Sequence, residues 1–397
     1  MCEAIDFCCY YARQAICLFQ PQRLGRFAAE LNHLRHRPLG VAAVISPWNF
    51  PLAITAGMTV AALVTGNTVV LKPAEQSPGI ARRLCGMLWD SGVGHDALIF
   101  LPGYGETAGA ALVHDPRVAL IAFTGSREVG MGILEAASKV APGQPQVKRV
   151  VCEMGGKNAI IVDDTADFDE AVPGVRYSAF GYAGQRCSAC SRIIVLDSIH
   201  DAFVERLTAA SAVLRIGDPI EPGTDVPHLI DEEARRKVEG YIDMARAQHT
   251  LLHAGEVAPG LEEAVCRPFV APHIFGDVAP DDRLAREEVF GPVLAVLRAK
   301  DFDEAIHIAN DSVYRLTGGV YSRTPSHLDR AREQFDVGDL YLNRPITGSL
   351  VGRQPFGGFG HSGTGTQAGG PDYLMHFVRP AVTSENTMRR GFAPELS

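Results

Sequence analysis

Apolar positions near the start of the chain fall at Ile5, Phe7, Tyr10, Tyr11 and Ile16, a spacing that predicts an amphipathic helix over residues 3–19. The pattern then changes to short unbroken apolar runs. Residues 39–46 read as a buried strand ending at Pro47, residues 55–63 as a helix, and residues 68–71 as the next strand. A helix is expected over 78–92, stopping at Gly92, with strands at 98–101 and 120–123 and helical segments between them. A second α/β stretch is expected from about residue 171, with a strand at 192–196, a charged helix at 231–248 and a strand at 293–297. Residues 343–371 are rich in Gly and Pro and predict mostly loop. Alternation of this kind argues for an α/β fold, a parallel sheet with helices on its faces and right-handed crossovers. Internal repeats and low-complexity tracts are absent from the sequence.

Composition narrows the class. A chain of 397 residues has room for two or three domains. Its 46% hydrophobic and 21% charged residues are ordinary for a globular protein. A net charge of -9 makes it a poor partner for nucleic acid. No apolar run is long enough to span a bilayer. The start, Met1-Cys2-Glu3-Ala4-Ile5-Asp6, lacks the basic region of a signal peptide and is too acidic for a transit peptide. Nine cysteines without a regular framework suggest reduced thiols and a cytoplasmic setting. Cys187 and Cys190 form a C-x-x-C, but no second pair sits at zinc-ligand spacing, so no metal is expected.

Candidate chemistry lies in two segments, Gly184-Gln185-Arg186-Cys187-Ser188-Ala189 and Cys152-Glu153-Met154-Gly155-Gly156-Lys157-Asn158. The first offers a thiol nucleophile, the second a carboxylate that can serve as a base. A lone cysteine is more often a small buried hydrophobe. Here the flanking glycines permit close approach of backbone to a ligand. Cys187 and Glu153 are too far apart in sequence for a local contact, so the fold must bring them together.

These segments belong to a longer ordered set: Pro47-Trp48-Asn49-Phe50-Pro51, Lys72-Pro73-Ala74-Glu75, Phe123-Thr124-Gly125-Ser126, Glu153-Met154-Gly155-Gly156-Lys157, the Cys187 loop, Glu287-Glu288-Val289-Phe290-Gly291-Pro292 and Pro355-Phe356-Gly357-Gly358. In this order they resemble the aldehyde dehydrogenase superfamily from about residue 38 to about residue 390. The resemblance implies a Rossmann-type cofactor domain, an α/β catalytic domain and a small β oligomerisation arm. It implies that Cys187 attacks an aldehyde and passes through a thiohemiacetal to a thioester. Glu153 would be the base for the hydrolytic water, and the Asn49 side chain with the Cys187 backbone N–H would receive the developing oxyanion. It also implies NAD as cofactor, held through Ser46, Pro47, Trp48, Lys72, Glu75, Gly125, Ser126, Glu288 and Phe290. A Lys and a carboxylate after a strand suit ribose hydroxyls, and the Glu75 charge should repel a 2′-phosphate. Gly125-Ser126, between a strand and a helix, suits a phosphate.

Two further stretches resemble the 1-pyrroline-5-carboxylate dehydrogenase branch: Cys187-Ser188-Ala189-Cys190-Ser191-Arg192, and Asn343-Arg344-Pro345-Ile346-Thr347-Gly348-Ser349 with the glycine-rich segment that follows. The ending Glu385-Asn386-Thr387-Met388-Arg389-Arg390-Gly391-Phe392 fits the same branch. The substrate implied is glutamate γ-semialdehyde, its α-carboxylate held by Ser188, Gly348 and Ser349, its aliphatic part by Phe50 and Phe356, and its ammonium by Glu3. The domains expected are a remnant of an N-terminal helical region (1–21), an arm (22–38 and 376–390), an NAD-binding domain (39–154) and a catalytic domain (155–375), assembled as a homo-oligomer. Relative to the family the chain looks N-terminally truncated. Two alternatives remain open: a dehydrogenase of another aldehyde, or a catalytically impaired fragment.

Overall fold

The computed structural model describes residues 1–388. Arg389, Arg390, Gly391 and Phe392, which close the terminal motif and the expected arm, lie outside the described residues. The chain divides into two compact units.

The first unit comprises Met1–Thr124, Met131–Val151 and the segment from Ala368 onward. Its sheet runs in the order Leu98–Phe100, Thr68–Lys72, Val41–Ile45, Val118–Thr124, Arg149–Glu153, and the first four strands pair in parallel. Val44, Leu71, Leu120 and Ile121 are fully buried, as the unbroken apolar runs predict. The N-terminal helix is Cys2–Leu18, but its buried face is Ala4, Phe7, Tyr11 and Ala15, while Ile5 and Ile16 face solvent. The face follows from close packing on helix Ala53–Val64, where a Cβ on Gly57 would press to within 3.1 Å of the Phe7 ring. Tyr11 stacks on Tyr373, and its hydroxyl accepts the Gly369 N–H at 2.7 Å. The Asn67 amide accepts the Leu39 and Gly40 N–H groups and donates to the Phe377 carbonyl at 2.9 Å. Strands Gln22–Arg23, Glu30–Pro38 and Val378–Asn386 form a separate antiparallel sheet.

The second unit comprises Gly125–Gly130 and Cys152–Gln367. Its seven strands lie in the order Thr250–Ala254, His273–Gly276, Val293–Ala299, Cys190–Leu196, Asn158–Val162, Thr317–Tyr321, Asp339–Leu342. All are parallel except the edge strand Thr250–Ala254. An antiparallel edge is tolerated because only one of its sides must match the parallel ladder. This second sheet also begins earlier than residue 171, since Asn158–Val162 is a fully buried strand at its centre. Residues 343–371 are mostly loop, as expected, apart from the short strand Phe359–Gly360 paired with Tyr314–Arg315. Among the described residues no helix is long and apolar enough to cross a membrane.

Candidate active site

The parallel sheet of the second unit explains how distant residues converge. Glu153 precedes Asn158–Val162, Cys187 precedes Cys190–Leu196 and Glu288 precedes Val293–Ala299. Thr317 and Asp339 open their own strands. Loops entering neighbouring parallel strands collect at one end of a sheet.

Cys187 is approached through a tight left-handed turn, with Tyr182, Ala183 and Gly184 at φ of 60°, 54° and 68°. Gly184 is required twice over, by its φ and because a Cβ there would lie 2.3 Å from the Gly291 carbonyl oxygen. Gln185 clamps the turn, accepting the Ile230 N–H at 2.9 Å and donating to the His228 carbonyl at 3.1 Å. Asn158 holds the nucleophile's own peptide. Its Nδ2 donates to the Cys187 carbonyl at 2.7 Å and to the Ala189 carbonyl at 2.9 Å, and its Oδ1 accepts the Thr317 N–H at 3.0 Å.

Glu153 is only 8% exposed. Bonds from Met154 N–H to the Ser362 carbonyl and from Thr364 N–H to the Cys152 carbonyl fix its backbone. Its Oε2 accepts the Gly358 N–H at 3.3 Å, and its Oε1 is buried with no partner. A Cβ on Gly357 would come within 2.9 Å of that Oε1, so the glycines of the Phe356-Gly357-Gly358 segment make room for this carboxyl. Burial drives the Glu153 carboxyl well above the ordinary range, the Gly358 N–H opposes this, and the Asp339 carboxyl adds to it. Burial, with Glu288 and Glu153 adding to it, pushes the Cys187 thiol up to about 12. The site therefore favours the neutral form of both the thiol and the carboxyl.

Glu288 sits against the second glycine pair. Its Oε1 accepts the Gly156 N–H at 2.9 Å, and a Cβ on Gly155 would fall 2.1 Å from its Oε2. Phe290, two residues on, adopts φ of 61°. Gly125 and Ser126 are already engaged: the Gly125 N–H donates to the Glu153 carbonyl at 3.1 Å, and the Ser126 Oγ accepts the Val129 N–H at 3.3 Å. A phosphate there would have to use other N–H groups at the start of helix Arg127–Ser138. Ser188 is buried, Phe356 half-buried, and Gly348 takes a left-handed φ of 82°. The Ser349 hydroxyl is hydrogen-bonded to the Tyr341 hydroxyl at 2.8 Å, and the Arg344 guanidinium lies over the Tyr341 ring. The sequence reading assigned no role to Asn158, Asp339 or Tyr341. Asn158 stood inside a quoted motif, whereas the two others read as ordinary strand positions.

The first unit carries the remaining candidates. Ser46 and Lys72 end adjacent parallel strands, and the Ser46 N–H donates to the Lys72 carbonyl at 3.1 Å. The Ser46 hydroxyl is buried with no partner, and the buried Lys72 ammonium meets Glu75 at 3.0 Å. An orphan hydroxyl and a Lys–Glu pair at the carboxyl ends of adjacent parallel strands fit a dinucleotide's ribose diol. Pro47, Trp48 and Phe50 are half-buried and Asn49 is buried in the loop that follows Ser46. Glu3 is half-buried on the first helix, and burial raises its carboxyl, against the pull of the N-terminal charge.

The chain belongs to the aldehyde dehydrogenase family, whose model matches residues 1–382. It is 46% identical over 385 residues to 1-pyrroline-5-carboxylate dehydrogenase of Geobacillus sp. (strain WCH70), covering 96% of this chain and 73% of that one. Among solved structures it is similar to proline utilization A (PutA) from Bdellovibrio bacteriovorus, with a TM-score of 0.95 and 51% identity over 99% of this chain and 40% of that one. It is also similar to a 1-pyrroline-5-carboxylate dehydrogenase from Thermus with bound NAD, with a TM-score of 0.92 and 45% identity over 97% of this chain and 73% of that one.

Proposed function

We propose that this chain oxidises L-glutamate γ-semialdehyde, the open form of 1-pyrroline-5-carboxylate, to L-glutamate with NAD. The observation that carries the reading is the placement of half-buried Cys187 and buried Glu153 at one end of one sheet, in a chain so similar to dehydrogenases of that name.

Ionised Glu153 takes the S–H proton of Cys187 and passes it to solvent, the sulfur bonds to the aldehyde carbon, and the carbonyl π pair moves onto oxygen. The Asn49 amide and the Cys187 N–H are the proposed donors to that oxygen, where one donor is worth about 3 kcal/mol. Return of the oxygen pair re-forms the C=O bond and expels a hydride, leaving a thioester on Cys187. NAD, when bound, supplies the acceptor for that hydride. Ionised Glu153 takes a proton from water, the hydroxide adds to the thioester, and the Cys187 thiolate leaves and is reprotonated. Lys72 and Glu75 would hold the adenosine ribose, with Ser46, Pro47 and Trp48 beside it. Ser126 and the helix start behind Gly125 would serve the diphosphate. Glu288 and Phe290 would serve the nicotinamide end. Ser188, Gly348 and Ser349 would receive the substrate carboxylate, hydroxyls and free N–H groups being good anion donors. Phe50 and Phe356 would line the aliphatic part, and Glu3 would meet the ammonium.

The reading extends to domains and assembly. The segments 22–38 and 378–386 would act as an oligomerisation arm, supported by the solvent-facing edge strand Val378–Asn386. A reducing, cytoplasmic compartment suits an enzyme that works through a free thiol.

The test is NADH formation by the purified chain with glutamate semialdehyde, beside Cys187→Ser. Turnover lost in the variant supports the reading. Turnover that is faster with simple aliphatic aldehydes than with the semialdehyde would overturn the substrate assignment, and a fully active Cys187→Ser would overturn the nucleophile.

A further inference from the structure

Among the buried ionisable groups that the mechanism does not use, Asp339 lies nearest the base in its hydrogen bonding. Asp339 opens the strand Asp339–Leu342 and is 9% exposed. Its Oδ2 accepts the N–H of Gly357 at 3.2 Å, while Glu153 Oε2 accepts the N–H of the next residue, Gly358, at 3.3 Å. Gly357 is thus flanked by both carboxyls, since a Cβ on it would meet Glu153 Oε1 at 2.9 Å. We propose that Asp339 is a positioning residue for Glu153: seated on consecutive amides, the two carboxyls carry one negative charge between them, and Asp339 thereby sets the pH at which Glu153 becomes a base. Two carboxyls sharing a dry site cannot both ionise readily, and their protons leave in two separated steps belonging to the pair.

The surroundings bear this out. Burial pushes Asp339 up to about 7, opposed by the Gly357 N–H, so its ionisation falls in the working range. The other ionisable groups that interact with the pair are Cys152 and Cys187, which feel Glu153, and Tyr341, which feels Asp339. All three are neutral near pH 7, and among the described residues no cation appears among the influences on either carboxyl, so nothing offsets the effect of the Asp339 charge on Glu153. The Oε1 of Glu153, buried without a partner, is the oxygen left to meet the hydrolytic water.

The proposal rests on Glu153 being the base of thioester hydrolysis, and the experiment separates the two. Asp339→Asn keeps an oxygen acceptor for Gly357 but removes the charge. The rate of Cys187 thioester hydrolysis in single turnover, and kcat for NADH formation, are measured against pH in wild type, Asp339→Asn and Glu153→Gln. The expected result is an acid limb displaced to lower pH by about one unit in Asp339→Asn, with KM unchanged, and loss of hydrolysis in Glu153→Gln. An unmoved limb in a folded Asp339→Asn, with Glu153→Gln inactive, overturns the coupling and leaves the role of Glu153 intact. An active Glu153→Gln overturns both. Should Asp339→Asn fail to fold, Asp339→Ser, which also removes the charge, takes its place: an acid limb displaced to lower pH supports the coupling, and an unmoved limb refutes it.

Discussion

Replacing Asn158 by alanine tests whether one side chain holds the nucleophile in place. Asn158 is 3% exposed and makes three hydrogen bonds to backbone: to the Cys187 and Ala189 carbonyls and from the Thr317 N–H. The substitution leaves three buried groups unpaired, each costing about 1–3 kcal/mol. Water entering the vacated space would recover part of this, so a loss of about 3 kcal/mol is expected, against a total of about 5–15 kcal/mol for a folded domain. The protein should stay folded but unfold at clearly lower denaturant. The catalytic loss should be larger, because the Cys187 peptide loses its anchor and a displacement of about 1 Å can cost on the order of 100-fold in rate. Urea unfolding gives the first quantity and kcat for NADH formation the second. Asn158→Asp is the sharper control, since it keeps the volume but sets a carboxylate against two carbonyl oxygens, and it should be at least as damaging. An alanine variant within about 0.5 kcal/mol of wild-type stability and within about twofold of its kcat would refute the anchoring argument.

Three further outcomes follow from the same geometry. Ser349→Ala and Tyr341→Phe each remove part of a bonded hydroxyl pair, so KM for glutamate semialdehyde should rise about tenfold, the worth of one hydrogen bond to a charged group, while simple aldehydes are unaffected; equal effects on both would sink the anchor. Burial opposes ionisation of Glu75, but the Lys72 bond, a backbone N–H and the Lys72 charge together more than offset it and lower its carboxyl, so Glu75→Gln should raise NADP use relative to NAD by about tenfold, and an unchanged cofactor ratio would refute the repulsion. Burial raises the thiols of Cys152, Cys187 and Cys190 from 9.0 to about 12. Because the unfolded chain ionises first, stability from these groups is complete below pH 9 and is lost as pH climbs toward 12, visible as a falling urea midpoint. Cys152→Ala should flatten that fall, and a midpoint insensitive to alkaline pH would contradict it.

What could be read in the sequence followed residue chemistry and period. Unbroken apolar runs located the buried strands Val41–Ile45, Thr68–Lys72 and Val293–Ala299, because a strand covered on both faces has no polar alternation. The first helix was visible, but its buried face was misread: Ala4 and Ala15 carry little hydrophobic signal and are chosen for closeness of packing. The candidate nucleophile and base stood out because Cys187 and Glu153 keep unusual glycine company. Asp339 and Tyr341 could not be seen, since their meaning comes from Gly357 and Ser349, which reach them only through a loop whose path no local pattern dictates. Nor did spacing disclose that Asn158, the first residue of its strand, reaches the carbonyl of Cys187 in the loop before the neighbouring strand.

The antiparallel pairing of Glu30–Pro38 with Val378–Asn386 joins the two extremes of the described chain, in register from Pro38 opposite Val378 to Glu30 opposite Asn386. Tyr11 waits likewise on Gly369 and Tyr373, and Asn67 on Phe377. On the ribosome the first 124 residues therefore emerge long before the partners that complete their core. The stretch from Cys152 to Gln367 is nearly self-contained in sequence and can close its own sheet while still tethered, since domains fold largely as units during synthesis. Maturation then ends with the C-terminal segment stitching back onto the beginning, a long-range closure that is intrinsically slow. Nascent chains arrested after Gln367 should show protease resistance across the inserted stretch and susceptibility in residues 1–40; early resistance of the N-terminal helix in such chains would reverse this order.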